Sequence, residues 1–312
     1  METLSKTDAK TLKQPLRPVP QGGRAEESIM SWEQAPFPVL SNAQFIQWQA
    51  LLEDRTGMYV AYYHRSLLQS NLIIRMREIQ CSDFDQYYTK VCTKPDGIVE
   101  WSILLDRLMV QETRFYRNPE SLNLFQNFLS DHLKKMTKPN AINIWSVGCS
   151  TGEEPYTLAI LCQEIIHQQH KKNSFGVTAT DISLPVLSKA REGTYNKRRL
   201  LDLSDELVAH YFEQINSDLF KVCDEIKHKV CFSMSNMIDI EKSPLRNMDI
   251  IYCQNVLIYF RKERKQAILN CLVERLSPGG LLVIGQGEAT DWQNNLVKRV
   301  EDNQNLAFIR HD

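Results

Sequence analysis

Residues 142–156 read Ile-Asn-Ile-Trp-Ser-Val-Gly-Cys-Ser-Thr-Gly-Glu-Glu-Pro-Tyr, and these types at this spacing describe a cradle for a nucleotide-type cofactor. Ile142, Ile144 and Val147 make a short apolar strand. Gly148 and Gly152 bracket a loop of small residues, and Pro155 suits the first turn of a helix, where its missing N–H is not needed. The chemistry turns on Glu153 and Glu154. A loop that holds a pyrophosphate offers bare N–H groups at the positive end of a helix, and a carboxylate there opposes the phosphate. Acid at this point favours a cofactor with positive charge and no phosphate. S-adenosylmethionine, with its sulfonium and α-ammonium, is such a cofactor.

In an open α/β sheet the ligand lies beyond the carboxyl ends of the strands, which singles out the polar residues found there. Asp181 closes a second apolar run, Asn236 follows a third, and Gln254 with Asn255 follows a fourth. A carboxylate at Asp181 suits both ribose hydroxyls, and Asn236 suits an adenine edge. Each alone also reads as a turn former or helix cap; their occurrence at successive strand ends is what marks a site. Upstream, Gln111-Glu112-Thr113-Arg114-Phe115-Tyr116-Arg117-Asn118-Pro119 reads either as a linker ending in a helix cap or as a lid. As a lid, it turns Thr113 and Arg117 to the methionine end, with Arg117 forked on the cofactor carboxylate. Tyr259, just past the fourth run, reads either as the residue that orients an acceptor or as a packed aromatic.

The elements that position these residues follow from periodicity. Residues 1–36 are poor in large apolar groups and are expected to form a disordered tail. Residues 37–112 repeat apolar groups at helical spacing. Ser41 caps a helix with Phe45, Trp48, Leu51 and Leu52 on one side. Arg65–Ile79 carries Leu68, Leu72 and Met76, and Ser82 or Asp83 caps a third helix with Phe84 and Tyr87. Residues 98–110 form a fourth, with Trp101, Leu104, Leu105 and Leu108 inside. Over 113–312, strands at 142–147, 176–180, 230–234, 248–253 and 281–284 alternate with helices. This predicts a mostly parallel sheet with helices on both faces, and 296–309 reads as a terminal antiparallel hairpin. Residues 194–229 break the alternation and are expected to be an insertion that carries substrate specificity.

With a net charge of -1, the chain offers no global attraction to nucleic acid or to an anionic membrane. No apolar run approaches the ~18 residues of a spanning helix, and no secretory apolar core opens the chain. The eight cysteines include no C-x-x-C pair, so they are expected as reduced thiols in a cytoplasmic protein, with no metal site.

Five stretches occur in one order: Thr-Arg-Phe-Tyr-Arg; Trp-Ser-Val-Gly-Cys-Ser-Thr-Gly-Glu-Glu-Pro-Tyr-Thr-Leu-Ala; Ala-Thr-Asp-Ile-Ser; Cys-Gln-Asn-Val-Leu-Ile-Tyr-Phe; and Pro-Gly-Gly-Leu-Leu-Val-Ile-Gly-Gln-Gly-Glu. Together they resemble the bacterial chemotaxis receptor methyltransferases, the CheR family. The resemblance implies a small all-α domain followed by a Rossmann-like class I methyltransferase domain with an inserted small β subdomain. It also implies methyl transfer from S-adenosylmethionine to glutamate side chains on the signalling helices of methyl-accepting chemoreceptors. By position it carries cofactor contacts to Thr113, Arg117, Glu153, Asp181, Asn236, Met237 and Asn255. Gln111 and Gln254 stand where the family commonly has Asn and Arg.

Other departures concern the substrate. The family's second helix is usually rich in arginine, and here Arg65, Arg75 and Arg77 remain while Asn71 and Ile74 stand at positions that are often Arg. The glycine-rich loop that holds a receptor's C-terminal pentapeptide in some members is absent from Gln214–Phe220, so no such tether is expected. A base N-methyltransferase would place Pro-Pro after Asn255, and a cytosine C5 enzyme needs a Pro-Cys; neither occurs. The alternative of a different class is a regulatory protein that binds the cofactor without turning it over.

Overall fold

The computed structural model describes residues 39–93, 95–109, 112–289, 291–301 and 304–311. The expected N-terminal tail lies outside the described residues, as does Gln111.

Four helices come first. α1 (Asn42–Thr56) starts at a capping box between Ser41 and Gln44 and buries Phe45, Trp48, Leu51 and Leu52. α2 (Arg65–Glu78) buries Leu68, Leu72 and Met76, and α3 (Phe84–Cys92) is capped by Asp83. α4 (Asp96–Leu108) departs from the expectation. It begins earlier, buries Gly97, Glu100, Leu104 and Leu105, and leaves Ile98 and Val99 exposed. A carboxylate can turn inward there because it is satisfied on both oxygens. Arg75 Nε and Nη2 donate to Glu100 at 2.8 and 2.7 Å, and the Tyr87 hydroxyl donates at 2.8 Å. Arg75, one of the arginines remaining on the second helix, is thereby turned inward and its side chain is only 15% exposed. Arg65 is committed as well, to Asn42 Oδ1 at 2.6 Å and to the Leu40 carbonyl.

The remaining chain builds a three-layer α/β unit. Its elements are α5 (Pro119–Lys135), β1 (Ile142–Val147), α6 (Glu153–Gln168), β2 (Phe175–Asp181), α7 (Leu184–Glu192), β3 (Thr194–Asn196), α8 (Asp205–Tyr211), β4 (Phe212–Gln214), β5 (Leu219–Val222), α9 (Asp224–Lys227), β6 (Val230–Met234), β7 (Met248–Cys253), α10 (Lys262–Arg275), β8 (Leu276–Ile284), β9 (Val297–Arg299) and β10 (Leu306–Arg310). Seven strands form one sheet in the order β6-β2-β1-β7-β8-β10-β9. The first five are mutually parallel, and β10 is antiparallel to both its neighbours. This is the mostly parallel Rossmann-like sheet with a terminal antiparallel hairpin that the pattern implied.

β1 is central, and its alternate sides feed two cores. Ile142 and Ile144 join Phe125, Tyr156 and Tyr252 on one face, while Trp145 and Val147 join Ile251, Leu269 and Leu282 on the other. The inserted segment makes a separate antiparallel sheet, β3-β5-β4. The expected strand at 230–234 follows the insertion and pairs with β2 in the main sheet. The Ser277–Gly280 turn is absorbed into β8, where the partner on β7 steps from Met248↔Leu276 to Ile250↔Leu281. Among the described residues no helix is long and apolar enough to cross a membrane.

Candidate active site

The sheet reverses direction at β1. The chain leaves β1 for β2 on one side and later returns to β7 on the other, so a crevice opens beyond the carboxyl ends of β1 and β7. Two recesses meet there and share Gly148, Ser150 and Asn255. The first, about 710 Å³, is lined by Asp181, Ser183, Asn236, Met237 and Val256 and is closed outside by Thr56, Met58, Met109 and Tyr259. The second, about 570 Å³, is lined by Glu112, Thr113, Arg114 and Arg117 above and by Glu154, Thr157, Tyr252 and Gln254 below. Gly148 makes the meeting possible. Its φ is +72°, and a β-carbon on it would stand 2.3 Å from Cγ2 of Val256.

Backbone donors fix the glycine loop. Gly148 and Cys149 donate to the Thr180 carbonyl at 2.7 and 3.0 Å. Asp181 accepts from Ser150 N at 2.9 Å and from Ser183 N at 3.0 Å, and its carboxylate still lines the first recess. Burial pushes its pKa up, against those N–H groups.

The two neighbouring acids part company. α6 turns about 100° per residue, so Glu153 and Glu154 point to different sides. Glu154 is the acid in the second recess. Ser146 donates to it at 2.6 Å, and burial pushes its pKa up to about 8. Glu153 lines neither recess. It is 1% exposed, accepts from Thr151 Oγ1 at 2.7 Å and lies 3.6 Å from Arg199. Of the two loop carboxylates singled out in the sequence, the one that lines the crevice is Glu154.

The other expected residues converge. Thr113 and Arg117 line the second recess, with Arg117 Nη1 donating to the Glu112 carbonyl at 2.6 Å. Met237 lines the first recess, and Asn255, at φ +60°, lines both. Asn236 is partly committed: its Oδ1 accepts from Ile238 N and its Nδ2 donates to the Arg55 carbonyl at 2.7 Å. Gln254 accepts from Asn118 Nδ2 at 2.9 Å and so ties the start of α5 to the end of β7. Tyr259 is half-buried at the edge of the first recess, and burial keeps its hydroxyl protonated by pushing its pKa up.

Sequence reading missed two contributions. Glu288, 2% exposed, accepts from Asn255 N at 3.0 Å, Gly285 N at 2.9 Å and Ile258 N at 3.1 Å, and so sets the β7 loop. The helical segment forms the outer wall and is fastened at the crevice by Tyr59 N donating to the Tyr259 carbonyl at 2.8 Å and by Ser183 Oγ donating to Asp106 at 2.9 Å. The signal for Glu288 was its place in the Gly-Gln-Gly-Glu stretch after a strand. Nothing in the periodicity of residues 42–109 showed that Thr56, Met58 and Met109 face a crevice.

Residues 111–306 match the profile of the CheR methyltransferase, SAM binding domain. This chain belongs to the CheR methyltransferase family. Residues 43–109 match the CheR all-alpha domain. Chemotaxis protein methyltransferases of Borreliella burgdorferi, Klebsiella aerogenes and Escherichia coli are 31%, 31% and 30% identical to this chain. The matches cover 83%, 80% and 80% of this chain and 89%, 84% and 85% of theirs. As a CheR protein it is an S-adenosylmethionine-dependent methyltransferase of the chemotaxis class.

The crevice fits that cofactor. Ser150 Oγ is buried without a partner at the junction of the two recesses, a donor and acceptor left over for a ligand. Glu154 and Arg117 sit in the same recess, acid for an ammonium and fork for a carboxylate. Asp181, Asn236 and Met237 line the other, where an adenosine would lie.

Proposed function

We propose that the acceptor is a glutamate carboxylate on a signalling helix of a chemoreceptor, converted to a methyl ester for sensory adaptation. The observation that carries this reading is what the crevice lacks. Among the described residues that line it there is no histidine and no lysine; of its carboxylates, Glu154 is buried against Ser146, Asp181 is held by two backbone N–H groups, and Glu112 lies exposed at the rim. An alcohol acceptor would need a base there. A glutamate, with a reference pKa of about 4.3, arrives already ionised.

When bound, the cofactor supplies a methyl group on a sulfonium leaving group. A carboxylate brought to that methyl group would take it as an ester without first losing a proton. The chain's own part is to gather, align and desolvate. Arg114 attracts the acceptor carboxylate to the rim. The protonated Tyr259 hydroxyl donates a hydrogen bond that orients it. Thr113 and Arg117 hold the methionine end, while Asp181, Asn236, Met237, Gln254 and Asn255 set the remainder.

The relatives' chemotaxis names support the partner class. The β4–β5 connection supports the absence of a pentapeptide tether. Its turn is closed by the Asn216 side chain, which accepts from Asp218 N and Leu219 N at 2.9 Å each, in place of a glycine-rich loop. The test is incubation with methyl-labelled cofactor and chemoreceptor cytoplasmic fragments. Base-labile label mapped to glutamates supports the proposal. Cofactor binding with no label on any receptor would leave a sensor without turnover.

A further inference from the structure

Glu153 has no place in the crevice, and its actual partners define a second device. Three pieces of chain meet above the methionine-side recess: the lid at 112–118, the glycine loop, and the turn Lys197–Leu200 that follows β3. Arg199 comes from that turn. Its Nη1 donates to the Thr113 carbonyl in the lid and stands 3.6 Å from Oε1 of Glu153 at the end of the glycine loop. One guanidinium therefore joins the lid to the end of the glycine loop without lining the recess.

The surroundings make this contact matter. Glu153 is 1% exposed, its other oxygen is held by Thr151 at 2.7 Å, and Arg199 is the cation that favours its charged form. A buried carboxylate without its cation is costly. The lid's own anchor is Phe115, fully buried and edge-on to Tyr195 and Phe212 with ring centroids 4.9 and 5.3 Å away. Tyr195 in turn donates to the Thr151 carbonyl at 2.7 Å. Thr113 precedes that anchor by two residues and Arg117 follows it by two. The inserted sheet thus holds the lid from below through aromatic packing, and Arg199 holds its leading edge.

We propose that Arg199 is a positioning residue for cofactor binding: it latches the lid to the glycine loop through Thr113 and Glu153 and so fixes the roof of the methionine-side recess. The proposal rests on the crevice being the cofactor site and holds whichever acceptor is methylated. It gives the inserted subdomain a part in cofactor affinity as well as in contact with the substrate.

The test uses the full chain with Arg199→Ala, Arg199→Lys and Glu153→Gln, and Arg198→Ala as the neighbouring control. Affinity for S-adenosylhomocysteine is measured by calorimetry. Trypsin cleavage after Arg114 and Arg117 is followed without ligand. Arg199→Ala is expected to weaken binding roughly five- to tenfold and to speed cleavage at those two bonds several-fold, with little change in melting temperature because Glu153, whose pKa burial already pushes up, takes a proton once the cation is gone. Lysine restores part of the affinity, since it keeps the charge and loses the fork. Glu153→Gln weakens binding roughly two- to threefold, and Arg198→Ala matches wild type. Unchanged affinity and cleavage in Arg199→Ala would overturn the latch and leave the cofactor site standing. Accelerated cleavage spread along the whole chain, with a lowered melting temperature, would mark a merely structural residue and overturn it too. Absence of ligand uptake by the wild type would overturn both readings together.

Discussion

Gly285 and Glu288 occupy each other's space: a β-carbon on Gly285 would stand 2.2 Å from Oε2 of Glu288. The glycine is there because the carboxylate folds back onto its N–H and then reaches Asn255 and Ile258. Glu288→Ala leaves three backbone N–H groups, that of Gly285 buried, without their acceptor, and we expect it to destabilise the fold by about 3 kcal/mol. Gly285→Ala should cost about 2 kcal/mol through overpacking. Urea unfolding measures both. A Gly285→Ala protein as stable as wild type would show that this close approach is not maintained.

Glu154 makes cofactor binding depend on pH. Burial lifts its pKa to about 8, so at pH 7 the free protein holds it about nine-tenths protonated. A cationic ammonium in the recess favours the ionised form, so binding at pH 7 expels close to one proton. Affinity should rise from pH 6 to 7.5. Calorimetry in buffers of different ionisation enthalpy counts that proton, and Glu154→Gln should abolish the release. The same raised pKa stabilises the unliganded fold fully below the ordinary glutamate range, and that contribution fades as pH rises through about 8.

The Arg75–Glu100 pair predicts a loss of stability confined to the helical part. Burial alone would raise the Glu100 pKa, but the Arg75 and Tyr87 hydrogen bonds outweigh it and hold it below the usual value. This contribution is present above pH 4.5 and disappears as pH falls through the lowered folded value. Glu100→Gln should cost about 3 kcal/mol at pH 7 and leave S-adenosylhomocysteine affinity unchanged. A thermal melt read beside calorimetry separates the two effects.

Arg117 and Tyr259 should differ in kinetics. Arg117→Ala is expected to raise KM for the cofactor about tenfold or more, because the fork to its carboxylate is lost. Tyr259→Phe should lower kcat several-fold with little change in cofactor affinity. Steady-state rates on a receptor fragment measure both, and an unaltered kcat in Tyr259→Phe would return that ring to a packing role.

The sheet was legible because β1, β2, β6 and β7 are short apolar runs that each end at a polar residue or a glycine. Type and order singled out residues at 113, 117, 181, 236 and 255, which line the crevice; type alone left the stretch at 111–119 open between a linker and a lid. Side-chain direction was not legible. Glu153 and Glu154 are adjacent acids at a helix start, and only the phase of α6 decides which enters the recess. On α4, Leu104 and Leu105 are buried as the spacing implied and Trp101 and Leu108 are partly so; the inward turn of Glu100 was not legible, because its partners Arg75 and Tyr87 come from α2 and α3. Likewise, Asn236 reads as a free amide until the Arg55 carbonyl is brought beside it.

The outer wall of the adenosine recess belongs to residues some ninety positions upstream of the glycine loop, Thr56 and Met58 among them. Severing the chain before the sheet would leave that recess with a missing side, open to water where a purine ring needs cover. On the proposed assignment of that recess to the adenosine, the α-helical portion is part of the donor's container, and a graft of the sheet alone onto another scaffold is expected to lose affinity for it.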